Sequence, residues 1–333
     1  MKITAAANSN IAIIKYWGKR DEKLILPANN SISFTMDEQL STVTTVELDP
    51  RLESDEAVLD GKVADAKEHE RISSFLDLIR NQAKIKTFAK VVSNNSFPKA
   101  AGLASSASGF AALAAAASKA AGLGLDGKRL SMLARLGSGS ATRSIYGGAA
   151  EWLKGEKADG SDSYAVQLSS ESNWKHLRNV IAIVDAEKKR VSSRAGMADT
   201  ARTSKRFKKR PGAVGRRLEV IRNAIKENNF EAMAGTIMED SDDMHACMAD
   251  TQPSIVYLNE TSHKIMLAVR EINASESEKI AAYTFDAGPN AHIYTTVNHA
   301  NKIKKMLDQM DGIKKIIECK IGEGVRFTDE HLF

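Results

Sequence analysis

The chain has 333 residues, 43% of them apolar, and its 47 lysines and arginines against 42 aspartates and glutamates give a formal net charge of +5. That length holds one large domain or two moderate lobes with ample material for a core, and with no run of eighteen apolar residues and no apolar leader after Met1-Lys2-Ile3-Thr4, neither a membrane span nor secretion is expected and a cytoplasmic location is. Cys247 and Cys319 stand far apart with no Cys-x-x-Cys or Cys/His cluster, which sets aside a disulfide framework and a zinc site and leaves two buried thiols.

The first informative segment is Asn-Ile-Ala-Ile-Ile-Lys-Tyr-Trp-Gly-Lys-Arg, residues 10 to 20. If extended, it puts Lys15, Trp17 and Lys19 on one face, with the two lysines about 13 Å apart at the usual strand rise. Such a separation suits two anionic groups of one substrate; solvated lysines at a surface strand end give the same pattern. A Thr/Val-rich strand follows over residues 41–49, and Asp60-Gly61 inside Ala57 to Val63 marks a tight hairpin. Ile72, Phe75, Leu76 and Ile79 recur at helical spacing, predicting an amphipathic helix that ends near Gln82.

Residues 97 to 109, Phe-Pro-Lys-Ala-Ala-Gly-Leu-Ala-Ser-Ser-Ala-Ser-Gly, form a small-residue, hydroxyl-bearing loop ahead of an alanine-rich helix expected over residues 109–121. The first N–H groups of a helix are unpaired and its dipole is positive there, so this is how a chain cradles phosphate. Gly102 and Ala104 leave the backbone open to an anion, and Ser105, Ser106 and Ser108 add donors. No Gly-Lys-Ser/Thr completes a Walker A loop, and tight helix packing alone selects similar residues.

Gly137-Ser138-Gly139-Ser140-Ala141-Thr142-Arg143-Ser144 places an arginine among small hydroxyl residues, a fork for a carboxylate or phosphate or, equally, for backbone carbonyls. The lobe boundary is expected between Ser169 and Leu177, dividing residues 1–172 from 173–333, and a buried strand over residues 180–184 follows. Ser193 and Arg194 open a helix at Val191 to Met197, suited to an anion or to serine capping. Eight basic and no acidic residues lie between Arg202 and Arg217. That run reads as a solvated face or as attraction for an anionic small molecule; with 6% aromatic residues and no stacking motif, nucleic-acid binding is not expected.

Helices follow at Leu218, Ile221 and Ile225 and again at Ile265, Val269 and Ile272. His245, alone on a helix between them, has no second histidine at ligand spacing and reads as structural. Strands over residues 281–285 and 291–296 flank Asp286-Ala287-Gly288-Pro289-Asn290, and a helix (300–309) and a strand (313–320) end the pattern. Asp286 is a turn former by position, and a strand-end aspartate is also where a general base for a substrate hydroxyl stands.

Taken together, Asn-Ile-Ala-x-x-Lys-Tyr-Trp-Gly-Lys-Arg, Phe-Pro-x-Ala-Ala-Gly-Leu-Ala-Ser-Ser-Ala, Gly-Ser-Gly-Ser-Ala-x-Arg-Ser and Tyr-x-Phe-Asp-Ala-Gly-Pro-Asn, in this order, resemble the mevalonate diphosphate decarboxylase family. The likeness runs from Asn10 to Asn290 and includes Leu26-Pro27, Ser31-Ile32-Ser33 and Asp250-Thr251. It implies an α+β, two-lobed fold of the small-molecule-kinase superfamily (galactokinase, homoserine kinase, mevalonate kinase, phosphomevalonate kinase), with the active site in the inter-lobe cleft and a homodimeric assembly. It further implies a phosphorylated mevalonate substrate, ATP and Mg2+, with no nucleic acid or membrane as partner and no dedicated metal ligands.

By the same resemblance Asp286 takes the proton of the tertiary 3-hydroxyl, Lys15 stands near the transferred phosphoryl group and Arg143 orients the substrate near its carboxylate. Ser105, Ser106, Ser108, Gly102 and Ala104 belong to the phosphate loop, Tyr16, Lys19, Ser193 and Arg194 to the diphosphate site, and Ser138 and Ser140 to the substrate-binding set. The chain departs from the family pattern at Ala7-Asn8-Ser9, which lacks a proline, at Lys99, and in the basic stretch Arg206 to Arg210. Extra cations there suit a substrate phosphorylated at both ends. The expected reaction is ATP-dependent decarboxylation of mevalonate 5-diphosphate to isopentenyl diphosphate. Its alternatives are ATP-independent decarboxylation of mevalonate 3,5-bisphosphate, decarboxylation of the monophosphate, and a kinase that stops at the 3-phosphate.

Overall fold

The structure is a computed structural model that describes residues 1–97, 105–184 and 191–333. The chain opens with β1 (Lys2–Asn8), β2 (Asn10–Ile14), β3 (Lys19–Asp21), β4 (Leu26–Pro27) and β5 (Ser31–Thr35). Next come β6 (Ser41–Leu48), β7 (Glu56–Leu59), β8 (Lys62–Val63), α1 (Ala66–Ala83), β9 (Ala89–Asn95) and α2 (Ser105–Ala120). Helix α3 (Gly127–Gly137) leads through a 3-10 turn, Gly139–Ile145, to β10 (Ala149–Trp152) and β11 (Ala165–Ser169).

The remainder comprises β12 (Leu177–Ile183), α4 (Ser193–Thr203), α5 (Arg210–Lys226), α6 (Phe230–Ala249) and α7 (Glu260–Ala274). It closes with β13 (Ala281–Phe285), β14 (Ala291–Thr296), α8 (Val297–Asp308), β15 (Lys315–Lys320) and β16 (Arg326–Thr328).

Six strands in the order β16-β1-β6-β9-β7-β8 make the first sheet, antiparallel except where β7 runs parallel to β9. The expected hairpin is present, with Asp60 and Gly61 both at positive φ (50° and 75°) between β7 and β8, as a two-residue type I′ connection requires. α1 is capped at both ends: Asp65 and Glu68 form a capping box, and Lys84 closes the helix in the left-handed conformation.

α2 carries alanines nearly all round its surface, and Ala111 to Ala117 are buried, as for a helix enclosed on every side. It shares a core with Ala5 and Ala7 of β1 and Val46 of β6. Small side chains on both elements allow their backbones to approach closely. The same packing makes a strand of Lys-Ile-Thr-Ala-Ala-Ala-Asn, although alanine disfavours strands locally.

Two further four-stranded sheets, β11-β10-β5-β2 and β13-β14-β12-β15, lie beyond it. One core joins them to α5 and α6, with Ile11, Ile13, Phe34, Ile181, Tyr294, Ile221 and Ile237 in contact. A third core lies between the last sheet and α7 and α8. The 172/173 division falls in the 3-10 turn Glu171–Trp174. After Ile321 the chain runs back: Gly322 N–H donates to Thr35 O at 2.9 Å, and β16 pairs antiparallel with β1.

Among the described residues no helix is long and apolar enough to cross a membrane. Cys247 and Cys319 are buried and unpaired with each other.

Candidate active site

β2 is buried along its whole length and delivers Lys15 to the interior, where its ammonium meets Asp286 at the end of β13. Lys15 Nζ donates to Asp286 Oδ1 at 2.7 Å; the lysine side chain is 2% exposed and the aspartate 32%. Burial pulls the Lys15 pKa below its usual value, with Asp286 and Asp240 pulling back and Arg143 adding to the fall. The ammonium is thus sealed inside while its carboxylate partner is half-buried.

Arg143, in the 3-10 turn after α3, is buried, with its Nε and Nη1 held by neighbouring side chains. Nε donates to Asn10 Oδ1 at 3.2 Å and Ser33 Oγ at 3.0 Å, and Nη1 donates to Ser31 Oγ at 2.5 Å. Burial lowers its pKa to about 10, against the attraction of Asp286. Lys15, Arg143 and Asp286, far apart in the chain, therefore share one electrostatic neighbourhood. Of the two open readings of Arg143, carbonyl bonding gives way to a hydroxyl and amide frame.

That frame continues to the helix start. Asn10 Nδ2 donates to Ser140 O at 2.9 Å and to Ser144 Oγ at 2.8 Å, Ser140 Oγ lies 3.3 Å from Ser138 Oγ, and Ser138 Oγ donates to Ser106 Oγ at 3.3 Å. A polar rail thus links the first turn of α2 to the arginine. Gly139 is glycine because an added Cβ would stand 2.8 Å from the Tyr16 ring and 2.9 Å from Trp152. These rings meet edge to face at 4.8 Å and hold Tyr16 beside the turn.

Several expectations need correction. Helix α2 already includes Ser105, ahead of the expected start at residue 109, so the serines lie within the helix. Ser105 and Ser106 are partly exposed there. Ser108, one turn on, is buried: its hydroxyl lies 2.6 Å from Thr42 Oγ1 and accepts from Ser9 Oγ at 3.1 Å, so it is engaged with the sheet. Gly102 and Ala104, like Lys99, fall outside the described residues.

The extended reading of residues 15–19 also fails. β2 stops at Ile14, and Gly18 turns the chain at φ +89°, with Phe207 so near that a Cβ would stand 2.2 Å from its ring. Trp17 is consequently buried with Phe207, Met244 and Met248, off the lysine face. Lys19 pairs with Glu22 in the next turn.

Burial raises the Tyr16 pKa, Glu22 raises it further, and Arg143 and Arg194 oppose them. Arg194, exposed at the start of α4, therefore shares the neighbourhood of Tyr16 and Arg143. The cap of α4 is Ser192, which accepts from Ala195 N–H, so Ser193 does not serve as the cap.

The basic run has an unexpected interior. Arg210 and Arg217 are buried and grip Asp240: Arg210 Nη2 to Oδ2 is 2.9 Å, and Arg217 Nη1 to Oδ1 is 3.1 Å. Arg202, Lys205, Arg206, Lys208, Lys209 and Arg216 are exposed. Charge counting alone does not separate the two groups.

Sequence reasoning also missed Arg71 on α1. Its guanidinium lies over the Phe110 ring at 4.2 Å and donates to Gly137 O at 2.9 Å, and burial followed by repulsion from Arg194 lowers its pKa to about 10. With Ser105, Ser106, Phe110, Thr44 and Ser93 it lines a cavity of about 150 Å³ beside the start of α2. No local signal marks an arginine on the rim of an amphipathic helix. His245 and His292 flank the Lys15 pair, and burial lowers both to about 4, so each is neutral near pH 7. Histidine within the buried strand β14 was the available clue.

Comparison with known proteins follows this geometry. Residues 7–165 match the family model of the diphosphomevalonate decarboxylase-like N-terminal domain, and residues 179–327 that of the mevalonate 5-diphosphate decarboxylase C-terminal domain. The diphosphomevalonate decarboxylase of Bos taurus is 43% identical over 307 residues, covering 88% of this chain and 76% of that protein. The crystal structure of mevalonate diphosphate decarboxylase from Staphylococcus aureus superposes with a TM-score of 0.93 at 39% identity, over 98% of each chain. The structure of MDDEF in complex with MVAPP, AMPPCP and magnesium gives 0.92 at 36% identity, over 99% of each chain.

Proposed function

This chain belongs to the diphosphomevalonate decarboxylase family, and we propose that its Lys15, Asp286 and Arg143 carry the ATP-dependent decarboxylation of mevalonate 5-diphosphate to isopentenyl diphosphate. The observation that carries the assignment is the Lys15–Asp286 pair at 2.7 Å beside a buried arginine. A tertiary alcohol is a poor leaving group, so phosphorylation must come first. Asp286 accepts the hydroxyl proton as the oxygen attacks the terminal phosphoryl group. Lys15 bears the charge that develops on that group, and Arg143 faces the substrate carboxylate. Loss of phosphate then leaves cationic character at the tertiary carbon, which departure of carbon dioxide quenches.

Ser105 and Ser106, with the N–H groups of the first turn of α2, suit the nucleotide phosphates. The adjoining cavity with Arg71 and Phe110 suits the rest of the nucleotide. Tyr16, Lys19, Ser193 and Arg194 suit the diphosphate, and Ser138 and Ser140 line the way to Arg143. Among the described residues no group of three or more His, Cys, Asp or Glu side chains is placed to hold a metal ion. A magnesium ion arriving with the nucleotide would neutralise phosphate charge. A homodimer in the cytoplasm completes the proposal; sedimentation velocity tests the assembly and cell fractionation the location.

The decisive assay is carbon dioxide release from mevalonate 5-diphosphate, the 5-monophosphate and the 3,5-bisphosphate, each with and without ATP. Turnover of the diphosphate with ATP alone is expected. Turnover of the bisphosphate without nucleotide, and none of the diphosphate, overturns the reading.

A further inference from the structure

Asp240 is fully buried at the middle of α6 and has no place in the reaction described above. Its Oδ2 accepts the backbone N–H of Lys15 at 2.7 Å, while Arg210 and Arg217 hold its two oxygens at 2.9 and 3.1 Å. The same arginines reach Asp243, through Arg210 Nη1 at 2.5 Å and Arg217 Nη1 at 2.8 Å, and Arg217 also holds Glu239 at 2.8 Å. A hydrogen bond from a main-chain N–H to an ionised carboxylate is shorter and stronger than one between neutral groups, so it holds the Lys15 backbone in place. Lys15 is the first residue past β2, where ladder pairing has ended, and Asn29 Nδ2 supports its carbonyl at 3.1 Å.

We propose that Asp240, locked between Arg210 and Arg217, is a positioning residue that fixes Lys15 where its ammonium meets Asp286 and supplies negative charge behind it. The inference rests on the reading of Lys15 and Asp286 given above. A buried ion cluster contributes little net stability compared with a well-packed apolar one, so its placement directly behind Lys15 is the informative feature.

Five charged and titratable groups act on Lys15, from four elements. They are Asp286 after β13, Asp240 and His245 on α6, Arg143 in the 3-10 turn, and His292 on β14. Arg210, Arg217, Asp243 and Glu239 surround Asp240 in turn. Both histidines are neutral near pH 7, so the Asp240 cluster, Asp286 and Arg143 together set the field at Lys15.

Removing the negative charge of Asp240 leaves Lys15 facing two arginines, and its proton is lost more readily; removing Arg217 does the reverse. The test is the pH profile of kcat for Asp240→Asn and Arg217→Gln, with melting temperature and KM for both substrates measured alongside. Expected is a basic limb displaced downward by about half a pH unit or more for Asp240→Asn and upward for Arg217→Gln. For Asp240→Asn, kcat falls about tenfold at pH 7.5 while KM changes less than about threefold.

Limbs that stay in place, or move in the same direction, overturn the proposal and leave the cluster a purely structural one. Should Asp240→Asn fail to fold, Arg217→Gln decides alone, and a limb that does not rise sinks the idea. Lys15→Met run in parallel separates the two levels: full activity there removes the underlying reading, whereas an inactive Lys15→Met with unmoved limbs removes only the role of Asp240.

Discussion

Lys15 and Asp286 stand 271 positions apart in the chain, and their side chains meet at 2.7 Å. The lysine is sealed within the protein and the aspartate is partly open. Were that carboxylate to take up a proton, the buried ammonium would lose its counter-charge and be free to turn to new negative charge beside it.

Replacing Asp286 by asparagine keeps the size of the side chain and removes the base. Product formation is expected to vanish, with substrate and nucleotide affinity near normal by calorimetry. Lys15→Met lowers kcat by about 10²- to 10³-fold, the usual loss for one preorganised donor to developing charge. An Asp286→Asn enzyme with full activity would reduce the residue to a turn former.

Arg143 tests geometry against charge. A lysine there keeps the positive charge but cannot satisfy Asn10, Ser31 and Ser33 at once while presenting a planar fork. Arg143→Lys should lower kcat/KM by at least about tenfold, measured as carbon dioxide release. Equal activity would show that the fork is dispensable.

Gly18 lies at φ +89° with the Phe207 ring 2.2 Å from where a Cβ would stand. Gly18→Ala is expected to cost about 3 kcal/mol in urea unfolding, from backbone strain and overpacking together. Adding Phe207→Ala should relieve the overpacking share only, so the double variant is less destabilised than the two losses added.

His245 and His292 are held neutral, lowered to about 4 from 6.5 by burial. A depressed histidine adds stability that is complete above pH 6.5 and drains away as pH falls toward 4, because the unfolded chain takes up protons first. Each contributes about 3 kcal/mol to that slope. The urea midpoint should fall steeply across this window, and His292→Asn should flatten the decline; an unchanged slope in that variant refutes the assignment.

Lys15, Arg143 and Asp286 stood out in the sequence through segments that resemble the family's motifs, and the structure brings them into one neighbourhood. Strands 281–285 and 291–296 also fell where alternation put them. Asp240 was not visible: flanked by Glu239, Asp242 and Asp243, it reads as part of a solvated acidic face, and its partners arrive from α5 through tertiary packing. Lys15 to Lys19 misled because one glycine with a left-handed backbone ends an extended pattern that side-chain alternation alone supports. Arg210 and Arg217 look like their exposed neighbours until α5 is laid against α6.

The return of β16 to β1 bears on how the polypeptide can be divided. A fragment of residues 1–172 keeps five strands of the first sheet but loses the sixth, so β1 is left with an open row of unpaired amides and carbonyls along an alanine-rich flank. Such a margin invites sticking between copies. Neither half expressed by itself should stay monodisperse, while both made together should reassemble, the short final strand acting as a clasp from one piece onto the other.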